Sequence, residues 1–166
     1  MNFARILRHL LTGQLIQRRT FPAASLAAIE QAIVQSEMTH GGEICFAVEA
    51  ALNTLPLLKD QTARERAIEV FSKIRVWDTE HNNGVLIYLL LADRMVEIIA
   101  DRGIHAKVPE QEWQDICRTM ESAFRQQQFE AGVIAGIRAV GMQLQKYFPF
   151  DPEKDTNELP NKPAVL

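Results

Sequence analysis

The chain changes period as it goes, and the period decides which element each segment forms. Seven consecutive apolar residues, Val85-Leu86-Ile87-Tyr88-Leu89-Leu90-Leu91, follow the polar stretch Arg75-Val76-Trp77-Asp78-Thr79-Glu80-His81-Asn82-Asn83-Gly84. A run this short, rich in branched side chains and opened by glycine, predicts a strand buried on both faces. Ile44-Cys45-Phe46-Ala47-Val48 predicts a second one. Between them, Thr62-Ala63-Arg64-Glu65 has the capping-box pattern, and Ala63, Ala67, Val70, Phe71 and Ile74 form a stripe at helical spacing. Strand, helix, strand in that order predicts a crossover with the two strands parallel. The link Ala92-Asp93-Arg94 is short enough to permit only an antiparallel hairpin into Met95-Val96-Glu97-Ile98-Ile99-Ala100. Glu97 among apolar neighbours marks that strand as nearer the sheet edge.

Helical spacing accounts for most of the rest. Phe3, Ile6, Leu7, Leu10 and Leu11 share one face of an amphipathic helix, while Arg5, Arg8 and Thr12 fall on another. Such a helix either docks on the domain or a partner chain, or lies on an anionic membrane surface. A second helix opens at Pro22, buries Leu26, Ile29 and Ile33, and stops before His40-Gly41-Gly42. Residues 52–61 read as a loop. Pro109 opens a further helix with Trp113, Ile116, Cys117, Met120 and Phe124 on one face, and a last helix runs from Phe129 to Tyr147. Gly132, Gly136 and Gly141 inside it each cost roughly 1 kcal/mol relative to alanine, which close approach of the helix to the sheet would offset. From Asp151 onward, Pro152, Pro160 and Pro163 amid polar residues read as an exposed, flexible tail. The organisation is therefore a basic amphipathic segment over 1–20, an α/β domain over 21–150 and a tail over 151–166. The fold class is a three-layer α/β/α sandwich around a small mixed sheet.

Composition narrows the function classes. At 166 residues, 47 % apolar and 23 % charged, the chain suits one globular domain. A net charge of −3 supplies no global basic field, so nucleic acid is not an expected partner. Residues 1–20 go the other way, with Arg5, Arg8, Arg18 and Arg19 and no acidic residue. Cys45 and Cys117 each sit in an apolar pattern and read as buried free thiols, which fits a reducing, cytoplasmic setting. Arg5, Arg8 and His9 interrupt what a signal peptide would keep apolar. The longest apolar run, Val85 to Ala92, falls short of the roughly 20 residues a bilayer span takes.

Topology then brings chemistry together. Two parallel strands begin at the same sheet edge, and the hairpin returns the third strand to it. Three loops, 39–43, 78–83 and 101–105, should meet there with Glu43, Asp78, Glu80 and Asp101, His40, His81 and His105, Asn82, Asn83 and Arg102. Carboxylates and amide oxygens suit calcium or magnesium, and imidazoles suit zinc. A solvated rim of turn-forming residues accounts for the same set. The chain carries no phosphate-cradling lysine loop, no paired-histidine zinc motif and no nucleophile elbow. At the other end of the sheet, Glu49 and Asp93-Arg94 read as turn-stabilising.

These features resemble the TPM domain family over residues 43 to 149. The carriers are Asn83-Gly84-Val85-Leu86-Ile87, Asp93-Arg94 before the next strand, Gly103-Ile104, and the ending from Phe129-Glu130-Ala131-Gly132 through Phe148-Pro149. The resemblance implies an α/β/α sandwich around a mixed sheet. Some members of that family are described as acid phosphatases and some bind calcium or another divalent cation, while many others have no assigned activity and many sit on or next to a membrane. Here Asp101 stands where the family has a glycine, and His105 where it has a glutamate. A metal site in this chain would then use Asp78, Glu80 and Asp101. Two functions are expected: a binding or scaffold module that recognises a protein partner and works near a membrane through residues 1–20, or a divalent-cation-dependent phosphomonoesterase.

Overall fold

A computed structural model describes residues 3–153 and 155–166. Two amphipathic segments, α1 (Phe3–Leu11) and α2 (Gln14–Thr20), precede the long α3 (Ala23–Glu37), which begins directly after Pro22. Then come β1 (Glu43–Glu49), α4 (Thr54–Leu58), α5 (Ala63–Lys73) and β2 (Gly84–Leu90). The second half holds β3 (Met95–Ala100), α6 (Arg102–His105), α7 (Glu110–Arg125), α8 (Phe129–Tyr147) and β4 (Ala164–Val165). The four strands form one mixed sheet in the order β3-β2-β1-β4.

The expected topology is what the chain adopts. β1 runs parallel to β2 from Glu43↔Gly84 to Glu49↔Leu90, and β2 pairs antiparallel with β3 from Val85↔Ala100 to Leu90↔Met95. Both inner strands are buried along their whole length, as their unbroken apolar runs require. Arg94, in the left-handed region at φ 53°, lets the short hairpin turn close. The capping box of α5 forms as read, with Glu65 N donating to Thr62 Oγ1 and Thr62 N donating to the Glu65 carboxylate.

Alternate strand residues feed two separate cores, which makes the three layers. Ile44, Phe46, Val48, Val85, Ile87 and Leu89 face α3, α7 and α8. Cys45, Ala47, Leu86, Tyr88 and Leu90 face α5, Leu57 of α4 and Ile6 of α1. Both cysteines are free thiols, and burial pushes each up to about 12.

Several expectations are corrected. The glycines of α8 bring that helix against its neighbouring helices, not the sheet: a side chain at Gly132 or Gly136 would meet Phe124 or Met120 of α7, and one at Gly141 would meet Ser36 of α3. Residues 52–61 contain the single turn of helix α4. The described part of the N-terminal segment, residues 3–20, forms two helices, because Gly13 adopts an extended backbone between them. The end of the chain does not trail free as an exposed tail: Leu159 is buried, and Ala164 and Val165 pair in parallel with Ala47 and Val48. The prolines there suit an edge strand and its approach, where missing N–H donors go unneeded.

Candidate functional site

Two glycines set how closely the three loops pack at the edge where β1 and β2 begin. A Cβ at Gly84 would lie 2.1 Å from Val76 O, so the segment after α5 crosses the strand start in direct contact with its backbone. A Cβ at Gly103 would lie 2.6 Å from both His81 O and Asn82 O, which seats the third loop on the second. The first loop joins through Asn83, whose Nδ2 donates to Gly41 O at 2.6 Å. Gly103 N donates to Asn82 O at 2.9 Å, Asp101 N to Gly84 O at 2.9 Å, and Arg102 Nε to Asn82 Oδ1 at 3.0 Å. Asn82 takes a left-handed backbone at φ 51°, the conformation asparagine tolerates best after glycine. The three loops therefore do meet.

What they bring together differs from the expected set. Asp78, Glu80, His81, Arg102 and His105 are exposed. Among the described residues, no three His, Cys, Asp or Glu side chains are arranged to hold a metal ion, so Asp78, Glu80 and Asp101 do not form the expected ligand trio. The physical reason lies in the second loop, where Glu80 N donates to the Glu158 carboxylate and fixes that stretch outward, against the C-terminal segment. Asp101 and Asn83 turn inward instead. Asp101 caps α6, its Oδ1 accepting from Arg102 N at 2.7 Å. Its Oδ2 and Asn83 Oδ1 have no hydrogen-bond partner among the described residues, although Asp101 is only 8 % exposed and Asn83 0 %.

Ser36 and His40 resemble a nucleophile and its base, with Oγ and Nε2 3.0 Å apart. Their protonation excludes that use. His40 Nδ1 accepts from Gly42 N, so the one proton of the neutral ring sits on Nε2 and is donated to Ser36. Burial lowers His40 to about 4 and keeps the ring neutral. It pins the loop after α3.

The C-terminal segment completes the edge. Glu43, the first residue of β1, accepts from Glu158 N at 3.1 Å and Leu159 N at 3.2 Å. Glu37, at the end of α3, accepts from Ile44 N at 2.9 Å and also from Asn161 Nδ2. Burial pushes Glu37 up to about 8, with the Glu43 charge adding to the effect. Burial likewise raises Glu43, with Glu158 and Asp155 as further like charges. Between α3 and this segment lies a cleft of about 570 Å³, with Val34, Met38 and Phe150 as apolar walls and Glu37, Glu43 and Asp155 as acidic ones. A second cleft of about 420 Å³ shares Gly41 and Asp155 with it and reaches His81 and Lys107. Asp155, Glu158 and Asn161 are not legible from sequence because their segment reads as a tail, and Glu37 is not because its partner Asn161 lies in that segment. The closing apolar triplet Ala164-Val165-Leu166 was the signal that it returns to the sheet.

At the far end of the sheet, Glu49 and Asp93 do more than stabilise turns. Glu49 receives a two-pronged contact from Arg66 at 2.8 and 3.0 Å and the Tyr88 hydroxyl at 2.7 Å. Asp93 receives α1: Arg5 Nε at 2.9 Å, Arg8 at 3.1 Å and His9 Nε2 at 3.1 Å. Burial works to raise the Asp93 carboxyl, but the contacts from Arg5 and His9 outweigh it and hold it below the usual carboxylate range. His9 Nδ1 also accepts from Leu52 N, and Gln17 Nε2 of α2 donates to Val48 O at 3.0 Å.

A mixed sheet between helical layers, with a polar edge where its parallel strands begin, defines a three-layer α/β domain. The chain belongs to the TPM domain family, whose sequence profile matches residues 16–143. Among solved structures it is similar to the BA42 protein from the psychrophilic bacterium Bizionia argentinensis, determined by NMR. The two share 32 % identity over 88 % of this chain and 95 % of that one, with a TM-score of 0.77. No curated protein matches the chain. No helix among the described residues is long and apolar enough to cross a membrane.

Proposed function

We propose that this TPM domain is a binding module that takes a divalent cation, calcium or magnesium, at the edge where β1 and β2 begin, and that it works beside a membrane through α1 and α2. The observation that supports the cation is the pair of buried oxygens without partners, Asp101 Oδ2 and Asn83 Oδ1. An unsatisfied buried polar atom costs about 1–3 kcal/mol, and a hard cation is the ligand that carboxylate and amide oxygens suit. Asp101 N bonds to Gly84 O, next to Asn83, so both donors stem from the first rung of the β2–β3 ladder. Asp155 and Glu158, the like charges that help raise Glu43, add a negative field at the same edge.

With one inward carboxylate the site belongs to the weak class, in the range of about 1 mM. Saturation with about 10 mM calcium would then stabilise the protein by about 1.4 kcal/mol, or roughly 3–5 °C in Tm for a chain of this size. Asp101→Asn keeps a good helix cap and should lose the shift while melting normally in EDTA. Equal Tm in calcium, magnesium, manganese and EDTA would sink the reading.

A phosphomonoesterase is the alternative, in which a bound cation would polarise a phosphoryl oxygen and activate water. The acidic edge repels a phosphate dianion, and Ser36–His40 has the wrong tautomer for a nucleophile and base. The binding reading is therefore preferred.

A further inference from the structure

On most soluble domains an amphipathic helix turns its apolar stripe inward and its charges to water. The N-terminal pair here is seated the other way round. The polar side of α1 faces the domain, where Arg5 and His9 reach the buried carboxylate of Asp93, His9 accepts from Leu52 N, and Arg5 donates to Gln61 O at 2.8 Å. α2 is anchored by the buried Gln17, which donates to Val48 O. At about 100° per residue, Leu15 and Arg19 lie about 160° around α2 from Gln17. Phe3, Leu7, Leu10, Leu11, Leu15 and Ile16 are left outward, from 44 % exposed at Ile16 to 75 % at Phe3 and Leu15. Only Ile6 of α1 packs partly into the core.

Six large apolar side chains on two consecutive helices form a patch that needs a cover. Charge identifies the cover. Residues 1–20 hold four arginines and no acid, and Arg18 and Arg19 are exposed on the same helix as Leu15 and Ile16. An apolar face flanked by arginines matches the interface of a bilayer with anionic headgroups, where the chains bury in the acyl boundary and the cations meet the lipid charge.

Resting on the reading that the module works beside a membrane, we propose that α1 and α2 form an interfacial anchor for an anionic lipid surface, inserted through Phe3, Leu7, Leu10, Leu11, Leu15 and Ile16 and steered by Arg18 and Arg19. The surface lies at the opposite end of the sheet from the cation edge, so either proposal stands if the other falls. No rearrangement is required, because the apolar face is already outward and the seat on Asp93 stays intact.

Co-sedimentation of the full chain with vesicles of phosphatidylcholine alone, or with added phosphatidylserine, tests it, with EDTA throughout. Binding is expected to the serine-containing vesicles and to weaken as salt rises. The double variant Leu7→Glu/Leu11→Glu should bind at least about tenfold more weakly, with an unchanged melting curve since both positions are exposed. Arg18→Glu/Arg19→Glu, on the other helix, should lose the preference for anionic vesicles. Equal binding to both vesicle types with a silent arginine variant would overturn the anionic anchor while leaving a membrane setting intact. No binding to either vesicle would overturn both. A dimer in sedimentation velocity that Leu7→Glu/Leu11→Glu dissolves, without vesicle binding, would assign the face to a second copy of the chain and overturn the proposal.

Discussion

Glu37 sits at the end of α3 with its two carboxyl oxygens accepting from Ile44 N and Asn161 Nδ2, and burial raises it to about 8. A carboxyl raised in the folded state holds its proton more tightly there than in the unfolded chain. Its stabilisation is thus complete below the ordinary value near 4.5 and is lost as pH rises to about 8. His40 acts in the opposite sense. Its folded value near 4 lies below the ordinary 6.5, so stability gains as pH rises from about 4 to 6.5. Denaturant titrations across pH 4–9 should therefore find Glu37→Gln losing less stability than the parent between pH 4.5 and 8. Identical slopes would mean that Glu37 ionises normally. Glu37 did not stand out in the sequence, and His40 did so only as one of three loop imidazoles, because a pKa shift comes from burial that only the folded chain supplies. Asn83, by contrast, was legible as a turn residue, and its bond to Gly41 O shows it also binds two loops together.

The elements divide into those whose pattern decides their place and those whose pattern does not. An unbroken apolar run can only be an inner strand, so β1 and β2 were readable, and the short link after β2 made the hairpin obligatory. The stripe of α1 was equally clear, but a stripe says only that two faces differ, not which one turns inward. The Asp93 carboxylate, about 85 positions away in sequence, decides that. Asp93→Asn should cost roughly 2–3 kcal/mol, less than a fully buried ion pair because Arg8 is half in water. Amide exchange in α1 should accelerate ahead of β1 and β2; uniform protection would mean that α1 is held by packing alone. β4 has two residues and no pattern of its own, and its approach was hidden by prolines. Leu159 anchors that approach, and Leu159→Ala should destabilise by about 2–3 kcal/mol in equilibrium unfolding. A change below about 0.5 kcal/mol would mean that the segment contributes nothing to the second core.

Across the whole molecule, the sheet separates two working ends. At one, β1 and β2 begin beneath three loops that topology alone brings together, and the C-terminal segment adds the acidic wall. At the other, Asp93 and Val48 O hold the N-terminal helices with their apolar face outward. The convergence of loops could be read from strand order. The ligand set could not, because which carboxylates turn inward depends on Gly103 seating one loop on another and on Glu158 drawing Glu80 away. The central claim, a cation held by Asp101 and Asn83, is tested most directly by following backbone amide shifts during a calcium titration. Saturable shifts confined to Gly41, Asn82 to Gly84 and Asp101 to Gly103, absent in Asp101→Asn, are the predicted result. Shifts that never saturate, or that map to exposed acids such as Asp115 and Glu130, would contradict it.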